Sequence, residues 1–414
     1  MKQIYYGWWI VLASFMIAFY VAGIIFYGFT AFIEPLVKEF GWSYTQISLA
    51  ASLRGLEMGL LAPLVGFLVD RFGSRKLLFS GVIVLGFGVI LLGFIHSLAM
   101  FYGAFLLIAF GAGGCTSVVT MTAVANWFDK NVGKAMGVMA SGFGASGLIV
   151  PVIVWLIAAY GWRTALIILG LGMWILGVPI ACIVRNRPED YGYLPDAKKS
   201  RGSKHPSQGH AQVAGMRFGK MLKEKSLLFV NLSEMLRLMA LTAVVTHIMP
   251  YLSTMKISRM TAGLMAAGIP LLSIIGRLGF GWLGDLFEKK HIMAIAYSLM
   301  GLGLLALCYV KVNAMIYIFL FLFSNGFGGI SVLRGAILRE YYGRYNFGKL
   351  LGIMMGFGAC GGIIGPTTAG WVFDRMQSYY FVWLAFSGLI ALAVILIMGI
   401  ESKEKIKERI NALS

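Results

Sequence analysis

Twelve stretches of this chain are apolar for long enough to cross a lipid bilayer, and that pattern limits the fold before any motif is read. They fall near residues 8–33, 44–69, 77–96, 99–126, 135–159, 163–184, 226–252, 260–284, 291–310, 313–338, 350–373 and 379–400. A hydrocarbon core roughly 30 Å thick takes about 20 apolar residues of helix to cross. The pattern predicts an all-α membrane protein with twelve transmembrane helices. Composition excludes an ordinary soluble globule: 59% of residues are hydrophobic, only 13% are charged, and the mean hydropathy is +0.82. The first run, Trp8–Phe32, is too long for the apolar region of a signal peptide and lacks a small-residue cleavage site, so it reads as helix one.

The net charge of +18 does not point to nucleic acid, because the basic residues sit in short loops and tails between the apolar runs. The loops RFGSRK (71–76), DKNVGK (129–134), FEKKH (287–291) and REYYGRYNFGK (339–349) share one side with segment 185–225, and the alternate loops are poorer in Lys and Arg. The excess of positive charge makes that side cytoplasmic, and an even number of spans puts both termini there. Residues 185–225 are polar and basic and carry Pro, Gly and Ser, so they read as a cytoplasmic linker with a mobile middle. The linker separates a six-helix half at 1–184 from a second at 226–400, and residues 401–414 read as a charged, solvated tail. The expected location is the cell's inner (plasma) membrane, as a multi-pass monomer in the lipid bilayer.

Cys115, Cys182, Cys308 and Cys360 lie inside apolar runs without metal spacing and read as small buried hydrophobes, implying neither a disulfide nor a metal site. No glycine-rich phosphate loop follows a strand, and no nucleophile–base pair or metal cluster points to an enzyme or a cofactor.

The two halves repeat each other at a fixed offset of 215 residues. Gly66 and Asp70 map onto Gly281 and Asp285, Gly133–Lys134 onto Gly348–Lys349, Gly137 onto Gly352, and Pro151 onto Pro366. Parallel repeats predict a pseudo-twofold axis along the membrane normal and a substrate site between the halves. In the first copy, Asp70 ends a helix beside Arg71, Arg75 and Lys76, a charge cluster suited to latching helices on the cytoplasmic side, or to serving as topology signal and helix cap.

One charge stands out in the stretch Leu264–Lys290: Arg277, inside an apolar run. It lies eight residues before Asp285, about 12 Å along a helix and so near mid-membrane. A cation there costs at least ~2.5–3.5 kcal/mol on insertion scales. Two readings follow, an anion site facing a cavity or an arginine paired with a carboxylate or helix carbonyls to join two helices. Other intramembrane charges come in pairs three residues apart, hence on one helical face: Arg54 with Glu57, and Glu234 with Arg237. The second pair reads as structural. Glu57, and His247 just before Pro250, are candidates for coupling or gating.

The loop GFLVDRFGSRK (66–76) resembles the G-x-x-x-D-R-x-G-R-R motif of the major facilitator superfamily, with Ser74 as its one departure, and Gly66, Asp70, Arg71, Gly73 and Arg75 carry the likeness. Within that superfamily the chain is similar to the monocarboxylate transporters and their bacterial relatives, including the oxalate/formate antiporters. The similarity rests on YYGWW (5–9), WFDKNVGKAMGVMASGFGASG (127–147) and the arginine of span eight. The resemblance implies that Arg277 binds a carboxylate, to which a guanidinium offers two parallel hydrogen bonds at any working pH. It also implies cavity-lining tyrosines in span one, matching Tyr20 and Tyr27, although interfacial or packing roles fit them too. Asn325 and Thr120 are further polar liners, or interhelical glue. The animal carriers have an aspartate where this chain has Ser273 and a lysine in span one that is missing here; the antiporters have a second cation near the position of Gly358. One cation suits a monoanion. The expectation is a secondary transporter of small monocarboxylates such as lactate or pyruvate, working by alternating access with a proton as co-substrate; an oxalate/formate-type exchanger or another organic-anion carrier is the alternative.

Overall fold

Lipid offers backbone groups no hydrogen-bond partners, so each span must close its own ladder. The computed structural model describes residues 5–42, 46–47, 61–115, 117–196, 221–222, 224–255, 259–309, 313–401 and 405. Among them every regular element is a helix, and eleven helices are long and apolar enough to cross a membrane. The second expected span, 44–69, lies largely outside the described residues, and only its end is seen.

Two compact units are distinguished. The first comprises Met1–Asp129 and Val138–Lys198. Its first span is not one regular helix: α1 (Gly7–Ala22) passes through a π-helical turn at Gly23–Gly28 into α2 (Thr30–Phe40). Widened turns of this kind are frequent at functional sites. Then come α3 (Ala62–Phe72), α4 (Ser74–Leu92), α5 (Leu98–Gly113) and α6 (Ser117–Trp127). After α7 (Val132–Ala145), whose start up to Gly137 belongs to the second unit, and a 3-10 turn, α8 (Val150–Tyr160) and α9 (Trp162–Ile183) complete the unit. Helix α4 packs between α5 and α9.

The start of the expected linker packs against the first unit. Arg185 stacks on Tyr6 and Tyr191, and its carbonyl accepts from the Trp127 indole at 3.0 Å. The Tyr5 hydroxyl donates to the Trp127 carbonyl at 2.7 Å, with the Leu194 carbonyl 3.1 Å away sharing the same proton, and Asp196 accepts from the Asp129 amide at 2.7 Å. Aromatic faces and carbonyls at the helix ends thus hold residues 185–196, whose polar composition reads in sequence as solvated chain. The middle of the linker, 197–220, lies outside the described residues.

The second unit comprises Lys130–Gly137 and Lys199–Ser414. Its spans are α10 (Lys225–Thr254), α11 (Arg259–Leu286), α12 (Lys289–Leu307), α13 (Asn313–Tyr342), α14 (Phe347–Met376) and α15 (Tyr380–Met398). Helix α10 packs on α14 and α15, while α13 packs on α11 and α12. The α11–α13 contact is glycine-mediated: a Cβ on Gly276 would strike the backbone of Asn325, and one on Gly328 the carbonyl of Ser273. Small residues let two helix backbones touch where lipid supplies no hydrophobic drive.

Outward faces are apolar, with Ile175 70%, Ile363 71% and Ile395 67% exposed, as a lipid-facing surface requires. This corrects the reading of the cysteines. Cys115 is buried, but Cys182 and Cys360 are exposed and Cys308 is half-buried; a thiol in an apolar run of a membrane helix can face lipid as readily as protein.

A candidate functional site among the arginines of the second unit

Helices α10, α11 and α13 bring three intramembrane arginines into one neighbourhood. Arg277, on α11, is 6% exposed, with its guanidinium carbon 5.6 Å from the centre of the Phe327 ring on α13. Arg237, on α10, lies 5.8 Å from the same ring. A Phe ring two residues beyond Asn325 is thus flanked by two cations, an arrangement its negative faces favour.

Glu234 and Arg237 pair as their spacing predicts. Arg237 donates from Nε and Nη2 to the two oxygens of Glu234, at 2.8 and 2.6 Å. The spacing did not show that Glu234 is shared: Arg334, on α13, donates its Nη1 to Oε1 of the same carboxylate. Glu234, Arg237 and Arg334 are all buried. The group therefore holds two guanidinium cations and one carboxylate. Charges out of water are retained where their partners are close and well oriented, and the fork-to-carboxylate pair of Arg237 meets that condition. Arg334, held by one nitrogen, is the cation that Glu234 leaves uncompensated.

The other expected liners are dispersed. Asn325, buried on α13, donates its amide to the Phe321 carbonyl one turn earlier at 2.8 Å. In the first unit, Tyr20 donates to the Leu169 carbonyl of α9 at 3.0 Å, which spends its hydroxyl on helix packing. Tyr27 is half-buried within the π-helical turn. Thr120 is fully buried on α6, 3.5 Å from the Ser117 carbonyl. Arg54 and Glu57 lie outside the described residues.

His247, on α10, joins two other elements. Its Nε2 is 3.0 Å from the Pro366 carbonyl of α14, and its Nδ1 is 3.0 Å from the Tyr379 hydroxyl. A carbonyl only accepts, so Nε2 carries the proton, and in the neutral ring Nδ1 accepts from Tyr379.

In the 66–76 loop, Gly66 is buried and Asp70 half-buried on α3, and Arg71 is exposed. Gly73 takes φ +86 and lies against Asn186, where a Cβ would come 2.5 Å from the amide carbon. Only glycine fits both constraints. The Asn186 side chain in turn accepts from the Arg75 amide at 2.9 Å. The second copy of the motif also holds a helix end: the carboxylate of Asp285 accepts from the amides of Gly133 and Lys134.

The Major Facilitator Superfamily profile matches residues 11–269 and 227–412. Similar proteins include the uncharacterized MFS-type transporter YcxA of Bacillus subtilis, 26% identical over 92% of each chain. Monocarboxylate transporter 12 of Xenopus laevis is 24% identical over 95% of this chain and 88% of that one. The gentisate transporter of Corynebacterium glutamicum is 25% identical, covering 87% and 80%. Among solved structures, the proton:xylose symporter XylE superposes with a TM-score of 0.75 at 16% identity, covering 96% of each chain.

Proposed function

The chain belongs to the major facilitator superfamily and is a multi-pass membrane protein, and within that family we propose that it is a secondary transporter of small monocarboxylates of the lactate or pyruvate type. The reading places it in the plasma membrane, with both termini cytoplasmic, cycling by alternating access and taking a proton as co-substrate. The observation that carries it is the buried Arg277 against Phe327: a guanidinium inside a membrane-crossing helix, beside an aromatic ring, suits a carboxylate through charge-assisted hydrogen bonds. Relatives named as a monocarboxylate transporter and a gentisate transporter support an organic acid as substrate. Tyr27, Asn325 and Thr120 are proposed to add polar or aromatic wall, and Tyr20 its ring alone. Gly66, Asp70, Arg71, Gly73 and Arg75 are assigned to the conformational cycle.

Uptake of labelled lactate, pyruvate, formate and oxalate into proteoliposomes, with and without an imposed pH gradient, tests the proposal. Lactate or pyruvate uptake driven by external acid is expected. Uptake that responds to an internal carboxylate and ignores pH would make the protein an exchanger of the oxalate/formate type. For the coupling group, Glu57→Gln is expected to abolish gradient-driven accumulation and spare substrate exchange. Parallel loss of both, per folded molecule, would reduce Glu57 to the counter-ion of Arg54, and leave His247 as the remaining candidate.

A further inference from the structure

We propose that Arg334, with Arg237 and Tyr297, forms a second anion subsite, which takes a second carboxylate on a substrate whose first carboxylate rests on Arg277. The inference rests on the carboxylate reading of Arg277 and extends the substrate class from monocarboxylates to short dicarboxylates.

Three observations carry it. The Glu234–Arg237–Arg334 group has two positive charges and one negative, all buried, so a single further carboxylate makes it neutral. Its hydrogen-bonding deficit is also one-sided. Arg237 Nη1 and Arg334 Nε are buried donors without an acceptor among the described residues. Tyr297, on α12, has a buried hydroxyl without a partner there and lies within electrostatic range of all three charges. Buried donors of this kind cost free energy until an acceptor arrives, and an anion is the ligand that meets charge and donors together. Finally, the Phe327 ring that contacts Arg277 also contacts Arg237, which sets the second group one side chain away from the first. Arg334 follows Phe327 by seven residues on α13, two turns along the same face.

Glu234 and Arg237 form a complete fork-to-carboxylate pair without Arg334, so Arg334→Gln should fold. The test compares succinate with butyrate, four-carbon acids that differ by one carboxylate, on the purified full-length protein at neutral pH. Two readouts are used: thermal stabilisation in detergent, and inhibition of labelled pyruvate uptake in proteoliposomes. Wild-type protein is expected to favour succinate over butyrate by about tenfold or more, the worth of one charged hydrogen-bonded contact. Arg334→Gln is expected to erase that preference; Arg334→Lys should keep part of it. Equal effects of the two acids on the wild type, equal loss of both in Arg334→Gln, or failure of Arg334→Gln to fold would overturn the subsite and make Arg334 a structural counter-ion. Lack of pyruvate uptake by the wild type would instead count against the monocarboxylate reading, and thermal stabilisation by succinate would still report on the subsite.

Discussion

Asp285 accepts a hydrogen bond from the backbone amide of Gly133 at 2.7 Å, and its other oxygen accepts from Lys134 at 2.8 Å. The carboxylate at the end of α11 therefore caps the first turn of α7, where amides have no partner within the helix and the helix end is partially positive. A Cβ on Gly133 would lie 2.8 Å from Asp285 Oδ1, so the glycine is part of the contact.

Asp285→Asn keeps the shape but loses the charge and turns a donor toward two amides. The expected cost is about 1–2 kcal/mol of stability, read as a lower melting temperature, with slower transport and little change in substrate affinity. Asp70→Asn, in the other copy of the motif, is expected to slow cycling in the same way. A large loss of equilibrium binding with normal cycling in either variant would assign these carboxylates to the substrate site.

Arg277→Lys keeps a positive charge and removes the planar fork. The protein should fold and purify, with carboxylate affinity reduced by about tenfold to a hundredfold. Unchanged affinity and transport would make Arg277 a helix-joining residue.

Glu234→Gln leaves Arg237 and Arg334 buried with no anion. Breaking a buried ion pair from one side costs about 3–5 kcal/mol, so folded yield and thermal stability should fall sharply. Removing one cation as well, in the double variant Glu234→Gln/Arg237→Met, should recover part of the loss. Equal instability of the single and double variants would count against the charge argument.

Tyr5 precedes the first span, and burial, reinforced by Asp196, Asp129 and Glu189, holds its phenol well above its ordinary range. A group whose folded pKa is raised adds stability that is complete below the unfolded pKa, near 10 for tyrosine, and is lost as pH rises beyond it. Tyr5→Phe should cost about 1 kcal/mol at neutral pH for its lost hydrogen bonds and should flatten the alkaline loss of stability. Parallel pH profiles of wild type and variant would rule out Tyr5 as the alkaline-sensitive group.

The sequence by itself determined the solvent, the helices and their repetition. Long apolar runs admit no other element in lipid, and a charge within one, such as Arg277, must be sheltered or used, so both could be read without coordinates. Glu234 and Arg237 were readable as a pair because three residues along a helix is a contact distance. Arg334 was not, because its carboxylate lies 100 residues away on another helix, and only the packing of α10 near α13 joins them. The same holds for Tyr20, whose hydroxyl meets α9, and for residues 185–196, whose polar composition reads as linker and does not tell of their contacts with Tyr5, Tyr6 and Trp127. Local periodicity records which face a residue occupies. Which partner waits at that face depends on how helices far apart in sequence settle against each other, and that was decided by tertiary packing alone.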